Sequence, residues 1–254
     1  MLTLAGRIAF ITGASGHLGS AMAHALAQAG AHVVLNARRI APLENLCGKL
    51  TDEGLKASIA PFDIMDPDAR RHALKSLPRL DVLINNAYTG RPGPLESATH
   101  EDFARAFESG VTAAFDMTRA ALPALRASGR ASVINIASMY GHVSPDPALY
   151  GDSGLNSPPW YGAAKGALIQ LTRYLACHLA PDNIRVNAIS PGPFPRTEIS
   201  EAKSDFIARL AAKVPMKRIG EAHEIAGPVL FLAGDNSSFV TGINLPVDGG
   251  WTAW

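Results

Sequence analysis

Thr12-Gly-Ala-Ser-Gly-His-Leu-Gly19 joins a short apolar run to an alanine-rich helical pattern. Glycines in such a turn permit a tight bend and let the backbone approach a pyrophosphate, while the start of the following helix supplies unpaired N–H groups and a partial positive charge. A strand, a glycine-rich turn and a helix in this order predict a dinucleotide-binding unit. The alternative is a glycine-rich turn that binds nothing, and the spacing is G-x-x-G-x-x-G rather than G-x-G-x-x-G.

Beyond this turn, short β-branched runs alternate with longer helical patterns, which is typical of successive βαβ units around a parallel sheet in an α/β fold. Seven runs are candidate strands, and seven strands fit a doubly wound sheet. The candidates are Arg7–Thr12, His32–Asn36, Ala57–Phe62, Asp81–Asn85, Ala131–Ala137, Ile184–Ile189 and Gly242–Val247. A long central helix is predicted between Thr99 and Ala127, with an N-cap at its start.

Composition limits the classes of function. The chain has 254 residues, which suits one α/β domain over residues 1–254. A formal net charge of +1, with 18% charged residues, gives no sign of a nucleic-acid or membrane partner. Cys47 and Cys177 lack metal-ligand spacing and are predicted to be buried, reduced thiols, and the eight histidines show no metal-binding motif, so no metal is expected. No apolar run suits a signal segment or a membrane span, so we expect a cytoplasmic protein.

Tyr161 and Lys165 are four residues apart, which places a phenol and an ammonium on one face of a helix. A tyrosine that transfers protons near neutrality needs a pKa lowered by roughly three units, or about 4 kcal/mol. One ammonium at about 4 Å supplies roughly that much at an effective dielectric near 20. The alternative is chance, because Y-x-x-x-K occurs in many helices. Leucines at helical spacing, at 168, 171, 175 and 179, predict that this helix packs on the sheet or on a partner subunit.

Taken in order, these motifs resemble the short-chain dehydrogenase/reductase family over nearly the whole chain. The resemblance rests on the glycine turn, Asp63-Ile64, Asn85-Asn86-Ala87, Ser138, Tyr161 with Lys165, Pro191-Gly192 and Val247-Asp-Gly-Gly250. It implies a Rossmann-type doubly wound, seven-stranded parallel sheet with helices on both faces. The single-domain subclass fits better than the extended, sugar-nucleotide subclass, because the extended subclass needs a further substrate domain.

The resemblance also implies roles for individual residues. Ser138 would hydrogen-bond the substrate oxygen, Tyr161 would pass the proton, and Lys165 would hold the nicotinamide ribose while lowering the tyrosine pKa. The residues expected to bind the cofactor are Gly13, Ser15, Gly16, His17, Leu18, Gly19, Arg38, Asp63, Ile64, Asn86, Ala87, Tyr161, Lys165, Pro191, Gly192 and Thr197. Outside this context, Ser138 is more often a turn residue and Asp63 more often a cap.

Three positions depart from the family pattern. His17 stands where the commoner turn has glycine, and Tyr88 stands where N-N-A-G has its glycine, so we interpret Tyr88 as pocket lining. Gly110 aligns with an asparagine that usually positions a water in the proton relay. A glycine side chain cannot do this, although the backbone carbonyl of a distorted helix still can. The alternative is that Gly110 only permits a kink or close packing.

The fourth departure is an insertion, because Ser138 and Tyr161 are 23 positions apart and the family usually has fewer. Tyr150 lies at the shorter spacing, but Gly154 follows it where a lysine is needed, so we interpret Tyr150 as a decoy. The prolines in residues 143–160 predict a stiff wall beside the substrate. Similar insertions, and a Val-Leu-Asn-Ala-Arg second strand, resemble members that act on sugar-like substrates, including nonulosonic-acid-pathway oxidoreductases and gluconate 5-dehydrogenases. Three residues on nearby loops are candidate carboxylate ligands or simply solvated: Arg91, Arg196 and His142.

The end of the second strand predicts the cofactor. NAD-preferring members of the family carry an acid where this chain has Ala37, and Arg38 follows as a candidate fork for a 2′-phosphate. NADP(H) is therefore favoured, with NAD(H) as the alternative, and a solvated Arg38-Arg39 pair is the competing interpretation.

We expect an oxidoreductase that acts on a carbonyl or secondary alcohol of a polar small molecule, with a sugar, polyol or sugar acid favoured. The alternatives are a dinucleotide-binding protein with little activity, a 3-ketoacyl reductase-like enzyme and a sugar-nucleotide epimerase. A homo-oligomer, a tetramer or dimer, is expected to pair its long helices through small residues such as Ala113, Ala114, Ala120, Ala163, Ala164 and Ala167.

Overall fold

The computed structural model describes residues 3–151 and 153–254; Asp152, in the predicted insertion, lies outside them. These residues build one seven-stranded sheet in the order β3-β2-β1-β4-β5-β6-β7, and every neighbouring pair is parallel. The strands are β1 Ile8–Thr12, β2 His32–Asn36, β3 Ala57–Ile59, β4 Val82–Asn85, β5 Ser132–Ile136, β6 Arg185–Pro191 and β7 Asn244–Val247. The predicted fold class and all seven strands are confirmed. The order reverses between β1 and β4, which is where doubly wound sheets bind ligands.

One prediction of strand length needs correction. The third strand was expected to reach Phe62 and ends at Ile59. One more backbone bond follows, from the Ala60 N–H to the Leu35 carbonyl at 2.8 Å. The Asn36 side chain then holds the segment after β3, because its Nδ2 donates to the carbonyls of Ala60 and Phe62 at 2.9 and 3.1 Å.

Helices cover both faces of the sheet. They are α1 His17–Gln28, α2 Ile40–Asp52, α3 Pro67–Lys75, α4 His100–Phe107, α5 Ala113–Ser128, α6 Pro159–Leu179, α7 Thr197–Ala202, α8 Ser204–Lys213 and α9 Ala226–Ala233. Alternate strand residues point to opposite faces. In β1, Ala9 and Ile11 pack with α1, α2 and α9, while Phe10 packs with α3, α5 and α6. Both faces are therefore apolar, as a parallel sheet requires.

The predicted central helix begins as expected and is then interrupted. Thr99 and Asp102 form a reciprocal capping box at the start of α4. A π-helical turn, Glu108–Thr112, separates α4 from α5, and its Ala113 N–H donates to the Glu108 carbonyl. The helix is thus distorted at Gly110, as the sequence analysis considered.

The helix that carries Tyr161 is α6, and its leucine stripe packs on the sheet. Leu168, Leu175 and Leu179 are buried, and Leu171 packs against the same core from a half-buried position. This anchors α6 as a platform for the side chains at its start.

The prediction that both thiols are buried is wrong. Cys177 is exposed, and Cys47 is half-buried where it packs against the core under α2. Ala113, Ala114 and Ala164 are buried within the protomer, so they are not available to a partner helix. None of the helices that the structure describes is both long and apolar enough to cross a bilayer.

Candidate active site

A cavity of about 790 Å³ lies at the carboxyl ends of the strands. Its size falls in the range of small-molecule and cofactor sites. The predicted site residues that line it are Gly13, Ser15, Gly16, His17, Leu18, Gly19, Arg38, Asp63, Ile64, Asn86, Ala87, Ser138, Tyr161, Lys165, Pro191 and Gly192. Thr197 is the exception: it is the first residue of α7, and its neighbour Arg196 lines the cavity instead.

The glycine turn is held by the strand beside it. Thr12 Oγ1 accepts the backbone N–H groups of Asn86 and Ala87 at 2.9 and 3.0 Å. The Asn86 amide donates to the carbonyls of Thr12 and Gly13. Gly13 has a positive φ of 64°, and a Cβ there would lie 2.9 Å from the Asn86 amide nitrogen, so only glycine fits. Asn86 therefore fixes the turn as well as bordering the cavity.

Pro191-Gly192 closes the cavity at the end of β6. A Cβ on Gly192 would lie 2.6 Å from the Asp248 Cα, so this glycine allows the two backbones to meet. Asp248 in turn accepts N–H groups from Gly250 and Thr252 at 2.9 Å each. The Val247-Asp-Gly-Gly250 motif is therefore a structural support for this wall.

His17 occupies the first turn of α1, where the commoner family pattern has glycine. Its Nε2 is buried and finds no hydrogen-bond partner among the described residues. Burial lowers the pKa of His17, the nearby Arg196 charge lowers it further, and Glu198 opposes both. His17 thus carries a neutral imidazole beside the place where the helix start and the glycine turn favour an anion.

Ser138, Tyr161 and Lys165 meet at the other end of the cavity. Ser138 follows β5, and its Oγ accepts the Tyr140 N–H at 3.2 Å. Lys165 is buried, and its Nζ donates to the Ile136 carbonyl at 2.7 Å. No other acceptor for this ammonium is found in residues 3–151 and 153–254, so its remaining N–H donors are available to a ligand.

The charge state of this group differs from the expectation. Burial raises the pKa of Tyr161, the hydrogen bond with Ser138 lowers it, and the Tyr150 phenol raises it. The Lys165 Nζ lies 5.8 Å from the Tyr161 ring centroid and donates to the Ile136 carbonyl, so its charge does not offset the effect of burial on the Tyr161 pKa. Burial lowers the pKa of Lys165 itself to about 8. The phenol is therefore protonated at neutral pH, which suits a proton donor.

Tyr88 lines the cavity, as interpreted from the sequence, and it contacts both catalytic candidates. Its ring stands edge-on to Tyr161 with centroids 5.2 Å apart. The ring also faces Lys165, whose Nζ is 5.2 Å from its centroid. The sequence indicated the pocket position of Tyr88 but not these contacts. Other lining residues that the sequence analysis missed are Met65, Thr89, Ser109 and Phe194.

A second cavity, of about 740 Å³, is lined largely by the insertion. The hydroxyls of Tyr140 and Tyr150 are 3.1 Å apart at its wall. Burial raises the pKa of Tyr150, while hydrogen bonds with Tyr140 and Ser157 oppose the rise. The insertion lies near the catalytic candidates, because Tyr150 is close enough to Tyr161 to raise the pKa of that phenol.

The three candidate carboxylate ligands on loops, Arg91, Arg196 and His142, differ in whether they line either of these two cavities. Arg91 forms a bidentate pair with Asp102 at 2.7 and 2.9 Å and lies away from both cavities. Arg196 lines the first cavity, and His142 lines the second while contacting Ser190 and Asn244. Among the described residues, no group of three His, Cys, Asp or Glu side chains is placed to hold a metal ion.

These observations fit a dinucleotide. The glycine turn and the start of α1, which carries His17, favour an anion. They lie between Arg38 at one end of the cavity and the free N–H donors of the Lys165 ammonium at the other. The residues that would hold such a cofactor are those lining the cavity, with Lys165 toward a ribose hydroxyl.

Comparison with known proteins agrees with this geometry. The family model described as enoyl-(acyl carrier protein) reductase matches residues 13–252. Gluconate 5-dehydrogenase of Gluconobacter oxydans is 35% identical over 99% of this chain and 97% of its own length. A tropinone reductase homolog of Arabidopsis thaliana is 34% identical over 98% of this chain and 94% of its own. The structure of a gluconate 5-dehydrogenase from Burkholderia cenocepacia in complex with NADP and tartrate superposes with a TM-score of 0.88 at 31% identity, covering 100% of this chain and 98% of that one.

Proposed function

Because the chain belongs to the short-chain dehydrogenase/reductase family, we propose that it is an NADP(H)-dependent oxidoreductase acting on a carbonyl or secondary alcohol of a polar small molecule. In the reducing direction, a carbonyl, NADPH and a proton give an alcohol and NADP⁺. The observation that carries this proposal is the meeting of Ser138, Tyr161 and Lys165 at one end of a cavity whose other end holds Arg38. We further propose that residues 1–254 act as one dinucleotide-binding and catalytic unit.

Each catalytic side chain has a task that its surroundings support. The Ser138 hydroxyl orients the substrate oxygen, and the protonated Tyr161 phenol donates its proton to that oxygen during reduction. The Lys165 ammonium binds ribose hydroxyls with the N–H donors that Ile136 leaves unused, and it stabilises the phenolate that forms. The bound cofactor would supply the hydride.

A hydroxyl-rich substrate, with a sugar acid or polyol favoured, fits the second cavity. Of the two phenols that share the Tyr140–Tyr150 hydrogen bond, one donates to the other, so one hydroxyl proton remains for a further acceptor. Tyr161 lies near both phenols, since it raises the pKa of Tyr140 and its own pKa is raised by Tyr150. The relative named gluconate 5-dehydrogenase, and the tartrate in the related structure, support the same class.

The test is a panel of sugar acids, polyols, simple ketones and 3-ketoacyl thioesters, assayed by the absorbance of reduced nicotinamide with NADPH and with NADH. We expect the highest kcat/KM with a sugar acid or polyol and NADP(H). A 3-ketoacyl reductase-like enzyme is the second candidate, favoured by the acyl-carrier description of the matching family model. A preference for thioesters would select it.

A protein that binds the cofactor with little activity is the remaining alternative, motivated by Gly110 and His17. Saturable NADPH binding without turnover on any member of the panel would select that alternative. We also propose a homo-oligomer and a cytoplasmic location; the free, exposed thiol of Cys177 supports a reducing compartment.

A further inference from the structure

The Tyr88 ring packs between Gly90 and Gly110, and we call these two glycines its seat. A Cβ added at Gly110 would be 3.1 Å from Tyr88 Cδ2 and 3.3 Å from Cε2. A Cβ added at Gly90 would be 2.5 to 2.8 Å from the hydroxyl and ring atoms of Tyr88. The ring thus fits between two residues without side chains, and its position depends on both.

Ser109 fixes this arrangement from within the π-helical turn. Its Oγ lies 2.9 Å from the carbonyls of Thr89 and Arg105 and accepts the Thr89 N–H at 3.3 Å. Ser109 is buried, so these bonds are protected from water. The residue that follows Tyr88 is therefore tied to the residue that precedes Gly110.

The π-helical turn also lies against the catalytic helix. The Cβ of Ala164 would be 3.7 Å from a Cβ on Gly110, and Lys165 is the next residue of α6. A side chain larger than hydrogen at Gly110 would require the Tyr88 ring, which contacts Lys165, to shift from its place. The seat and the contact of the ring with the ammonium are thus one structural unit.

We infer that Tyr88 is a positioning residue for the proposed reaction: its ring, seated on Gly110, holds the Lys165 ammonium and the Tyr161 phenol in their working arrangement. The inference rests on the proposed function of Tyr161 and Lys165. An ammonium 5.2 Å from a ring centroid is within cation–π range, and the edge-on contact with Tyr161 is a favoured aromatic geometry. Tyr88 and Gly110, two of the residues that depart from the family pattern, are therefore in contact with each other.

The ring carries this role, and the hydroxyl does not. The Tyr88 hydroxyl is buried with no hydrogen-bond partner among the described residues. Burial, with a further contribution from Tyr161, raises the pKa of Tyr88 to about 12, so this phenol stays protonated and transfers no proton at neutral pH. Tyr88→Phe should therefore preserve the function, and Tyr88→Leu should not.

The effect of the Tyr88 ring can be measured through the Lys165 pKa, because among the described residues few groups face this ammonium. They are the Tyr88 ring, from the loop after β4, and the Tyr161 ring, from α6. Burial is the cause of the lowered Lys165 pKa, and no carboxylate contributes to it. Removing the ring face of Tyr88 removes a contact that favours the charged ammonium, so the Lys165 pKa should fall further.

The experiment compares four variants with wild type: Tyr88→Phe, Tyr88→Leu, Gly110→Ala and the double variant Tyr88→Leu/Gly110→Ala. The Lys165 pKa is followed by NMR of ¹³C-lysine-labelled protein with NADP⁺ bound, assigned with Lys165→Arg, and kcat is measured against pH. We expect Tyr88→Leu to lower the Lys165 pKa by about half to one unit and kcat by about tenfold, with Tyr88→Phe within about twofold of wild type. Gly110→Ala should lower kcat in wild type and change it little in the Tyr88→Leu protein.

An unchanged Lys165 pKa in Tyr88→Leu, or equal effects of Gly110→Ala in both backgrounds, would overturn the inference. Circular dichroism and Tm identify any variant that is merely unfolded. In that case Tyr88→Phe decides, because a change in the Lys165 pKa on loss of the Tyr88 hydroxyl alone also contradicts the inference. If wild type turns over no substrate, the proposed function fails, and the NMR measurement still decides the role of Tyr88.

Discussion

The Arg38 guanidinium lies 4.0 Å from the Asp63 carboxylate at the outer end of the cofactor cavity. Both side chains are well exposed, at 59% and 37%, so the pair is loose and contributes little stability. Asp63 Oδ1 already accepts the Met65 N–H at 3.0 Å, which anchors the carboxylate in its turn. Arg38 is therefore the mobile partner, and it can turn toward a 2′-phosphate at low cost. Asp63 thus caps its turn, as the alternative interpretation has it, and also lines the cavity where cofactor binding was expected.

The first prediction concerns cofactor preference. Ala37→Asp combined with Arg38→Leu should reverse the preference toward NAD(H), because it adds a carboxylate for the 2′-hydroxyl and removes the phosphate fork. The charge-assisted hydrogen bonds at stake are worth about 1.5–3 kcal/mol, or about ten- to a hundredfold in kcat/KM. Steady-state kinetics with both cofactors measure this. Arg71→Leu, which removes an exposed arginine outside the cavity, is the matched control and should leave the preference unchanged. A wild-type preference for NADH would falsify the assignment.

The second prediction separates the two candidate tyrosines. Tyr161→Phe should lower kcat by at least about a thousandfold and leave NADPH affinity near wild type, because only the proton-transferring hydroxyl is lost. Tyr150→Phe should keep kcat within about tenfold and raise KM for hydroxylated substrates, since it removes one member of the Tyr140–Tyr150 hydrogen bond. Steady-state turnover gives kcat and KM, and fluorescence titration gives the Kd for NADPH. The reverse pattern would make Tyr150 the proton donor.

The third prediction concerns the ammonium. Lys165→Ala should weaken NADPH binding as well as turnover, because both the ribose contact and the counter-charge of the phenolate are lost. The loss of a charged hydrogen bond suggests about 1.5–3 kcal/mol of cofactor binding, a tenfold effect or more on Kd. Lys49→Ala, on the exposed side of α2, should leave both unchanged. If Lys165→Ala binds NADPH as wild type does, the proposed ribose contact is wrong.

The fourth prediction is the pH dependence of carbonyl reduction. Tyr161 has a raised pKa and is protonated at neutral pH, so it does not limit reduction there. Lys165 has a pKa of about 8 and loses its charge above that value, so kcat should be level near neutrality and fall as pH rises through about 8. Lys165→Arg should lose this limb, because a guanidinium does not titrate in this range. A limb near pH 8 that persists in Lys165→Arg would assign it to another group.

The fifth prediction is the oligomer. Multi-angle light scattering at micromolar concentration should give a dimer or tetramer mass. Since Ala113, Ala114 and Ala164 are buried, contact must involve more exposed positions such as Phe107, at 37% exposure. Phe107→Glu should shift the mass toward monomer. A monomeric wild-type protein would contradict the prediction.

The amino-acid sequence by itself determined the architecture and most of the predicted residues that line the cavity. Strand and helix patterns are local, so the seven strands and the glycine turn were readable from residue spacing. Once the strands are parallel, their carboxyl ends share one edge, and Ser138, Asn86 and Asp63 must all lie along it. The four-residue spacing of Tyr161 and Lys165 placed both on one helix face for the same local reason.

Only the tertiary structure decided the contacts between segments distant in sequence. Spacing cannot show that the Lys165 Nζ points to the Ile136 carbonyl, or that burial raises the pKa of Tyr161. It cannot show that Tyr150 folds back to Tyr140, or that Cys177 faces outward. Tyr88 and Gly110 each departed from a pattern in isolation, and only the packing of a loop after β4 against a π-helical turn made them one unit. Such contacts depend on side-chain volume and direction after folding, which no period along the chain encodes.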